Sequence, residues 1–169
     1  MNTINGRSIL PFAAMALLSL GVALQARAQS VKDQLVGTWM LVAVYDARPD
    51  GSKFDPFDGN PTGILMFDGN GHFAAQLMGS GFPKFASNNR LEGSPEENKA
   101  IVQGSICYFG TYSVSEADHT LTYHVESSSF PNFNGADQTR AFTLTGDELT
   151  YTGPTSTGGT SHVVWKRAK

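Results

Sequence analysis

One cysteine, few charges and no run of basic residues: this 169-residue chain is marked first by what it omits. A single Cys107 excludes an internal disulfide, and its distance from the N-terminus excludes a lipid-modified cysteine after cleavage of a leader. Nothing beside it in sequence would activate the thiol, so Cys107 is expected to pack as a small hydrophobe in a strand. Twelve Lys and Arg against fifteen Asp and Glu leave a net charge of −3 with no basic stripe, which argues against a nucleic-acid partner. His72, His119 and His162 fall on different turns and strands, and a lone His124-x-Glu126 is a poor ligand set, so no metal site is expected. No catalytic triad, phosphate-binding loop, paired-carboxylate signature or cofactor fingerprint is present, and no cofactor is expected. There is no internal repeat.

Long apolar runs are also scarce. The one example, residues 9–24, follows Arg7 and precedes Ala26-Arg27-Ala28, an A-x-A cleavage site. Residues 1–28 therefore read as an export signal cleaved after Ala28. The alternative is an uncleaved anchor, but the apolar core is short for a span and ends in a good cleavage site. The expected product is a periplasmic or secreted protein without stable membrane insertion. Its residues 29–169 form one domain by length.

What the chain does have is glycine, eighteen in all, together with many Thr, Tyr, Phe and Val. That mixture favours strands joined by tight turns. Alternating segments predict eight strands over residues 36–45, 62–67, 72–78, 106–115, 120–127, 138–145, 148–152 and 161–167. Asp68-Gly69-Asn70-Gly71 is a strong hairpin turn. Ser94-Pro95-Glu96-Glu97 is a capping box with proline at the first helical position, predicting a short helix that ends near Gly104.

Connection lengths add a second layer. The second, fourth and sixth connections are short, and the others are long. In an antiparallel meander the short ones share one end and the long ones the other. An even strand count lets the last strand pair with the first and close the sheet. The fold expected is an all-β, eight-stranded antiparallel up-and-down barrel with one elaborate mouth; a flattened two-sheet sandwich is the alternative.

Trp39, Leu41, Leu65, Phe67, Phe73, Leu77, Tyr108, Tyr112, Phe142 and Trp165 are candidates for the lumen. They either fill it as an ordinary core or leave room for one small ligand. Trp39, early in the first strand, and Trp165, late in the last, should be buried at the tight-turn end. The densest polar cluster is His124 and Glu126 on one face of a strand, with Arg140 across the loop. Phe142 and Leu144 share the face of Arg140 and point that face inward. Leu121, Tyr123 and Val125 make the opposite assignment for the neighbouring strand, so the facing is left open. The cluster reads as a rim salt bridge between Glu126 and Arg140, as an anchor for a ligand head group, or as an acid–base site with His124 oriented by Glu126. Tyr108, Tyr123 and Phe142 complete the ligand-binding candidates. Four loop phenylalanines, Phe82, Phe85, Phe130 and Phe133, either lid the mouth or pin the loops.

These residues resemble the bacterial and fungal lipocalin-like domain family. The likeness is carried by Leu35-Val36-Gly37-Thr38-Trp39, by Gly110-Thr111-Tyr112, and most specifically by His124-Val125-Glu126 through Phe130-Pro131-Asn132 to Gln138 and Arg140. It covers nearly all of the mature chain. The position of Phe133 is often Trp in that family, so an aromatic is kept. The resemblance implies a lipocalin-like β-barrel and supplies no substrate. The helix before the fifth strand departs from animal lipocalins, whose helix follows the barrel, and their ligands are not carried over. Two classes of function follow: an exported binder of a small, mainly apolar ligand, or a barrel enzyme of isomerase or cyclase type with His124 as acid/base.

Overall fold

Period-two alternation lets each strand present one apolar row to a common interior, and closure of the sheet then leaves only one interior to fill. A computed structural model of the protein describes residues 29–57, 59–156 and 158–169. The expected signal segment, 1–28, lies outside the described residues. The strands are β1 (Gly37–Ala47), β2 (Lys53–Phe54), β3 (Thr62–Phe67), β4 (His72–Met78), β5 (Ser105–Ser115), β6 (Thr120–Ser128), β7 (Asp137–Thr145), β8 (Glu148–Pro154) and β9 (Thr160–Arg167). Two helices, α1 (Val31–Leu35) and α2 (Pro95–Gly104), and a 3₁₀ turn at Pro131–Phe133 complete the described elements.

All strand pairs are antiparallel, and β9 pairs back onto β1 from Trp39↔Arg167 to Ala47↔Thr160, which closes the barrel and removes the sandwich alternative. The expected eight strands become its eight staves. The extra strand, β2, is a two-residue addition on the mouth end of β1, too short and too polar in its surroundings to be seen in the alternation. The predicted α2 forms with its capping box in place: the Glu97 amide donates to Ser94 Oγ, and the Ser94 amide donates to the Glu97 carboxylate. α1 was not anticipated. Five residues are too few to carry a helical period, and it forms because tertiary contacts hold it.

The tight turns 68–71, 116–119 and 146–147 gather at one end, and that end is plugged. Gly37 enters β1 at φ 133°, a conformation side-chain-bearing residues rarely adopt. Two residues later Trp39 is fully buried and donates its indole N–H to the Leu35 carbonyl at 2.9 Å. The Arg167 guanidinium lies 4.1 Å from the Trp39 ring centroid and donates to the carbonyls of Val36 and Gln34. Trp165, on the neighbouring stave, is also fully buried, as its place late in the last strand implies. α1 covers the plug with Leu35, and the Val31 amide donates to the Glu116 carboxylate in the β5–β6 turn at 2.8 Å. Tyr112 ties the β3–β4 turn to the wall by donating to the Asp68 carbonyl.

Above the plug the inward rows are Leu65 and Phe67, Phe73 to Leu77, Leu121 to Val125, and Leu149 to Tyr151, all buried. Aromatic rings interlock across the lumen: Phe67 against Tyr112 at 4.7 Å and Phe73 against Tyr123 at 4.4 Å between centroids. Replacing Trp39 by alanine removes the largest side chain of the plug and its hydrogen bond, and should lower stability by about 3–5 kcal/mol in urea unfolding; a loss under about 1 kcal/mol would mean the plug is not structural.

Candidate functional site

The sequence left the facing of β6 and β7 open, and the register settles it. Leu121 pairs with Arg140 and Tyr123 with Gln138, so the apolar row of β6 and the Gln138–Arg140–Phe142 row of β7 point inward together. A charged side chain therefore enters the lumen. Arg140 is 8% exposed. Its Nη2 donates to Gln138 Oε1 at 2.7 Å and its Nη1 to the Thr139 carbonyl at 3.2 Å, both neutral acceptors. The expected salt bridge with Glu126 does not form, because Glu126 projects from the outer wall, opposite in facing to Arg140. Among the described residues the ion pairs are His72–Asp68, His124–Asp137 and Arg167–Asp147, and none involves Arg140.

Gly153 makes this placement possible. A Cβ there would stand 2.4 Å from Arg140 Cδ and 2.7 Å from its Nη1, so the arginine stem lies flat on bare backbone of β8. Beside it Tyr108, Tyr123 and Tyr151 converge, with ring centroids 6.2 Å apart for both the Tyr108–Tyr123 and the Tyr123–Tyr151 pairs. Tyr123 Oη is fully buried and finds no hydrogen-bond partner of acceptable geometry among the described residues. Burial raises the phenol of Tyr108 above its ordinary value, partly offset by the charge of Arg140. Burial pushes Tyr123 and Tyr151 well above theirs.

Over this polar floor opens a cavity of about 260 Å³ at the long-loop end. Arg140, Gln138, Tyr108 and Tyr151 line its inner wall, Asp46 lies on the β1 side toward the mouth end, and Phe57, Ile106, Phe130 and Phe133 line its rim. Phe130 and Phe133 meet edge to face at 5.1 Å, and Phe133 meets Tyr108 likewise at 6.2 Å, so this pair forms part of the cover. Phe82 and Phe85 play the other role. Phe82 packs on Gly104 and Phe85 on Gly93, pinning the 79–104 connection to itself and to α2.

Of the six site residues proposed from sequence, the structure brings Arg140 and Tyr108 to the cavity. Tyr123 stands directly behind them. Phe142 is buried lower, toward the closed end, where it lines a different depression with Val31 and Leu144. His124 and Glu126 face outward; the His124 imidazole is hydrogen-bonded to the Asp137 carboxylate on the outer wall. An acid–base role for His124 toward a molecule in the lumen is thereby removed, because the sheet stands between them. Among the described residues no group of three or more His, Cys, Asp or Glu side chains gathers to hold a metal ion.

Asp46, Gln138 and Tyr151 are among the lining residues not anticipated as ligand contacts. The signal was present for the last two. Val44 and Asp46 share the inward row only beyond an irregularity between Leu41 and Ala43 in the pairing with β9, which shifts the row that Trp39 and Leu41 begin by one residue. Tyr151 follows Leu149 at period two, and Gln138 precedes Arg140 by the same spacing.

A cation held in a largely apolar lumen by neutral hydrogen-bond acceptors costs stability. Arg140→Met should therefore raise stability by about 1–3 kcal/mol in urea unfolding, and a large loss would show that the guanidinium is a structural strut. Alkali should act through the tyrosines. Their raised values mean the folded chain holds protons that the unfolded chain releases. Stability is therefore full below about pH 10 and falls as pH rises past it. Phenolate absorbance from Tyr108, Tyr123 and Tyr151 should appear together with loss of the folded circular dichroism signal, not before it.

The chain is similar to several known proteins. The model of the lipocalin-like domain family matches residues 36–168. A 4'-hydroxy-3'-methoxypropiophenone carrier protein of Aspergillus oryzae (strain ATCC 42149 / RIB 40) is 30% identical over 82 residues, which is 45% of this chain and 74% of that protein. Among solved structures, a redesigned β-barrel is 16% identical with a TM-score of 0.43 over 82% of this chain and 95% of its own. A second redesigned barrel, bound to DFHBI, is 18% identical with a TM-score of 0.40 over 80% of this chain and 97% of its own. The match of the family model over almost the whole barrel, from β1 through β9, is decisive: the chain belongs to the lipocalin-like domain family.

Proposed function

We propose that the protein is an exported binding protein that holds one small, mainly apolar molecule in the mouth of its barrel. The observation that carries this reading is the cavity of about 260 Å³, with an aromatic rim above a polar floor. The other end is filled, since Trp39, Trp165, Leu65, Leu121 and Leu149 are all fully buried. Space in the lumen is thus left at the mouth, where the long connections gather. The volume is slightly below the range of about 300–1,000 Å³ usual for drug-sized ligands, and suits a molecule with a single ring.

Binding is favoured over catalysis because no histidine or thiol lines the cavity among the described residues, and its tyrosines have raised pKa values through burial. The Aspergillus relative is a carrier protein by name, and its named cargo is a single-ring aryl ketone. That supports the size and aromatic character inferred from the cavity. Export is supported by the A-x-A site at residues 26–28 behind an apolar core.

Native mass spectrometry of the protein purified from the exported fraction of its own host tests both parts. The expected spectrum is a chain beginning at Gln29 with one retained small molecule, released when Phe133→Ala opens the rim. An intact N-terminus in the membrane fraction would overturn export. A mature chain that neither retains nor takes up any single-ring aromatic compound would overturn binding.

A further inference from the structure

We infer that the cavity is a receptor for an oxyanion: its ligand is a single-ring molecule bearing one acidic oxygen, a carboxylate or phenolate, which sits against the guanidinium of Arg140. This rests on the binding function proposed above and goes further, to the charge of the ligand.

Four observations converge. Arg140 is always charged and more than nine-tenths buried, and it donates to two neutral acceptors, Gln138 Oε1 and the Thr139 carbonyl. Those two bonds use two of its five N–H donors, and its edge lines the cavity. Gly153 supplies the bare backbone on which the guanidinium lies, a concession that a merely tolerated surface arginine would not require. Finally, the hydroxyls around it are suited to an anion: Tyr108 and Tyr151 line the same wall and stay protonated, able to donate. Tyr123 Oη, behind them, is buried beside Tyr151 and finds no hydrogen-bond partner of acceptable geometry among the described residues.

The charged groups that face this cavity among the described residues can be named. Arg140 comes from β7 and Asp46 from β1; the other described lining residues are neutral. Asp46 sets a direction: an anionic end is drawn to the β7–β8 wall and repelled from the β1 wall. An ammonium or other cation would meet Arg140 in a low-dielectric space and be rejected. A neutral hydrocarbon would leave the guanidinium unmatched, forgoing the strongest interaction available, since charge-assisted bonds are about twice as strong as neutral ones.

The same field acts on the proton of a weakly acidic ligand. A phenol placed beside Arg140 ionises more readily, so the bound state favours phenolate at a pH where the free molecule is still partly protonated.

The test uses four probes of one ring each: benzoate with its neutral methyl ester, and 4-nitrophenol with its neutral methyl ether. The mature protein, freed of retained ligand by unfolding and refolding, is titrated with each by calorimetry. The expected result is that at least one anion binds about tenfold or more tightly than its neutral counterpart. The arm that does so separates carboxylate from phenolate. Bound 4-nitrophenol should show phenolate absorbance, with its ionisation midpoint moved to lower pH. Arg140→Gln should abolish that preference, and Asp46→Asn should strengthen anion binding several-fold.

If the neutral ether and ester bind as tightly as the anions, the oxyanion inference falls while the binding function stands. If none of the four binds, the oxyanion inference falls, while the binding function is decided separately by the mass spectrum of the protein purified from its own host. The absorbance titration on the unsubstituted protein needs no variant, so the inference is decided even where Arg140→Gln does not fold.

Discussion

The contact on which this barrel depends is the stack of Arg167 on Trp39. It joins the last strand to the first at the point where the sheet closes, and it adds hydrogen bonds to the carbonyls of Val36 and Gln34 that fix the approach of α1. A closed sheet has no free edge, but closure alone does not fill its ends. One indole and one guanidinium do both jobs here. Trp39 occupies the floor, and the cation covers it with its long stem while keeping part of its charge in contact with Asp147 in the β7–β8 turn. Gly37 is required beneath them, because a Cβ there would stand 3.0 Å from Arg167 Nη1 on a backbone already at positive φ.

A floor made this firmly lets the other end carry features that cost stability. The lumen accepts Arg140, a buried cation bonded to neutral acceptors, and a tyrosine hydroxyl with no partner of good geometry among the described residues. Either would be costly in an optimised core. Arg140 lines the cavity and Tyr123 stands behind its wall, above a fully buried layer of Leu65, Leu121, Leu149 and two tryptophans. Strain and unsatisfied polarity of this kind concentrate at binding sites, where a ligand can relieve them. The long connections follow the same division. Phe82 and Phe85 stabilise their own loop, whereas Phe130 and Phe133 give up part of their burial to cover the opening.

Part of the site is legible in the sequence. Arg140 and Tyr108 stand out because each interrupts or carries an otherwise apolar alternation. His124 and Glu126 were drawn to the same cluster by proximity along the chain, and proximity misled. They share a strand with Tyr123 and Val125 but alternate with them, so the pleat sends them to the outer wall. A bulge where Phe109 and Gly110 meet β6 adds to the difficulty, since two residues face one across it and the period-two count slips. Asp46 was missed for a related reason: an irregularity between Leu41 and Ala43 in the pairing with β9 moves the inward row of β1 from Trp39 and Leu41 to Val44 and Asp46, against the count from Trp39.

The sequence by itself determined the staves, the tight-turn end and the family, because strand alternation, glycine-bearing turns and the Gly37-Thr38-Trp39 opening are written in residues that are neighbours along the chain. Tertiary structure alone decided which charged residue entered the lumen. Local pattern gave two opposite answers for adjacent strands, and only the pairing of Leu121 with Arg140 could choose between them. The space for that choice came from Gly153 on the next stave, which no local reading connects to Arg140. Cavities and buried charges belong to the packing of distant segments, and so they appear only when the barrel closes.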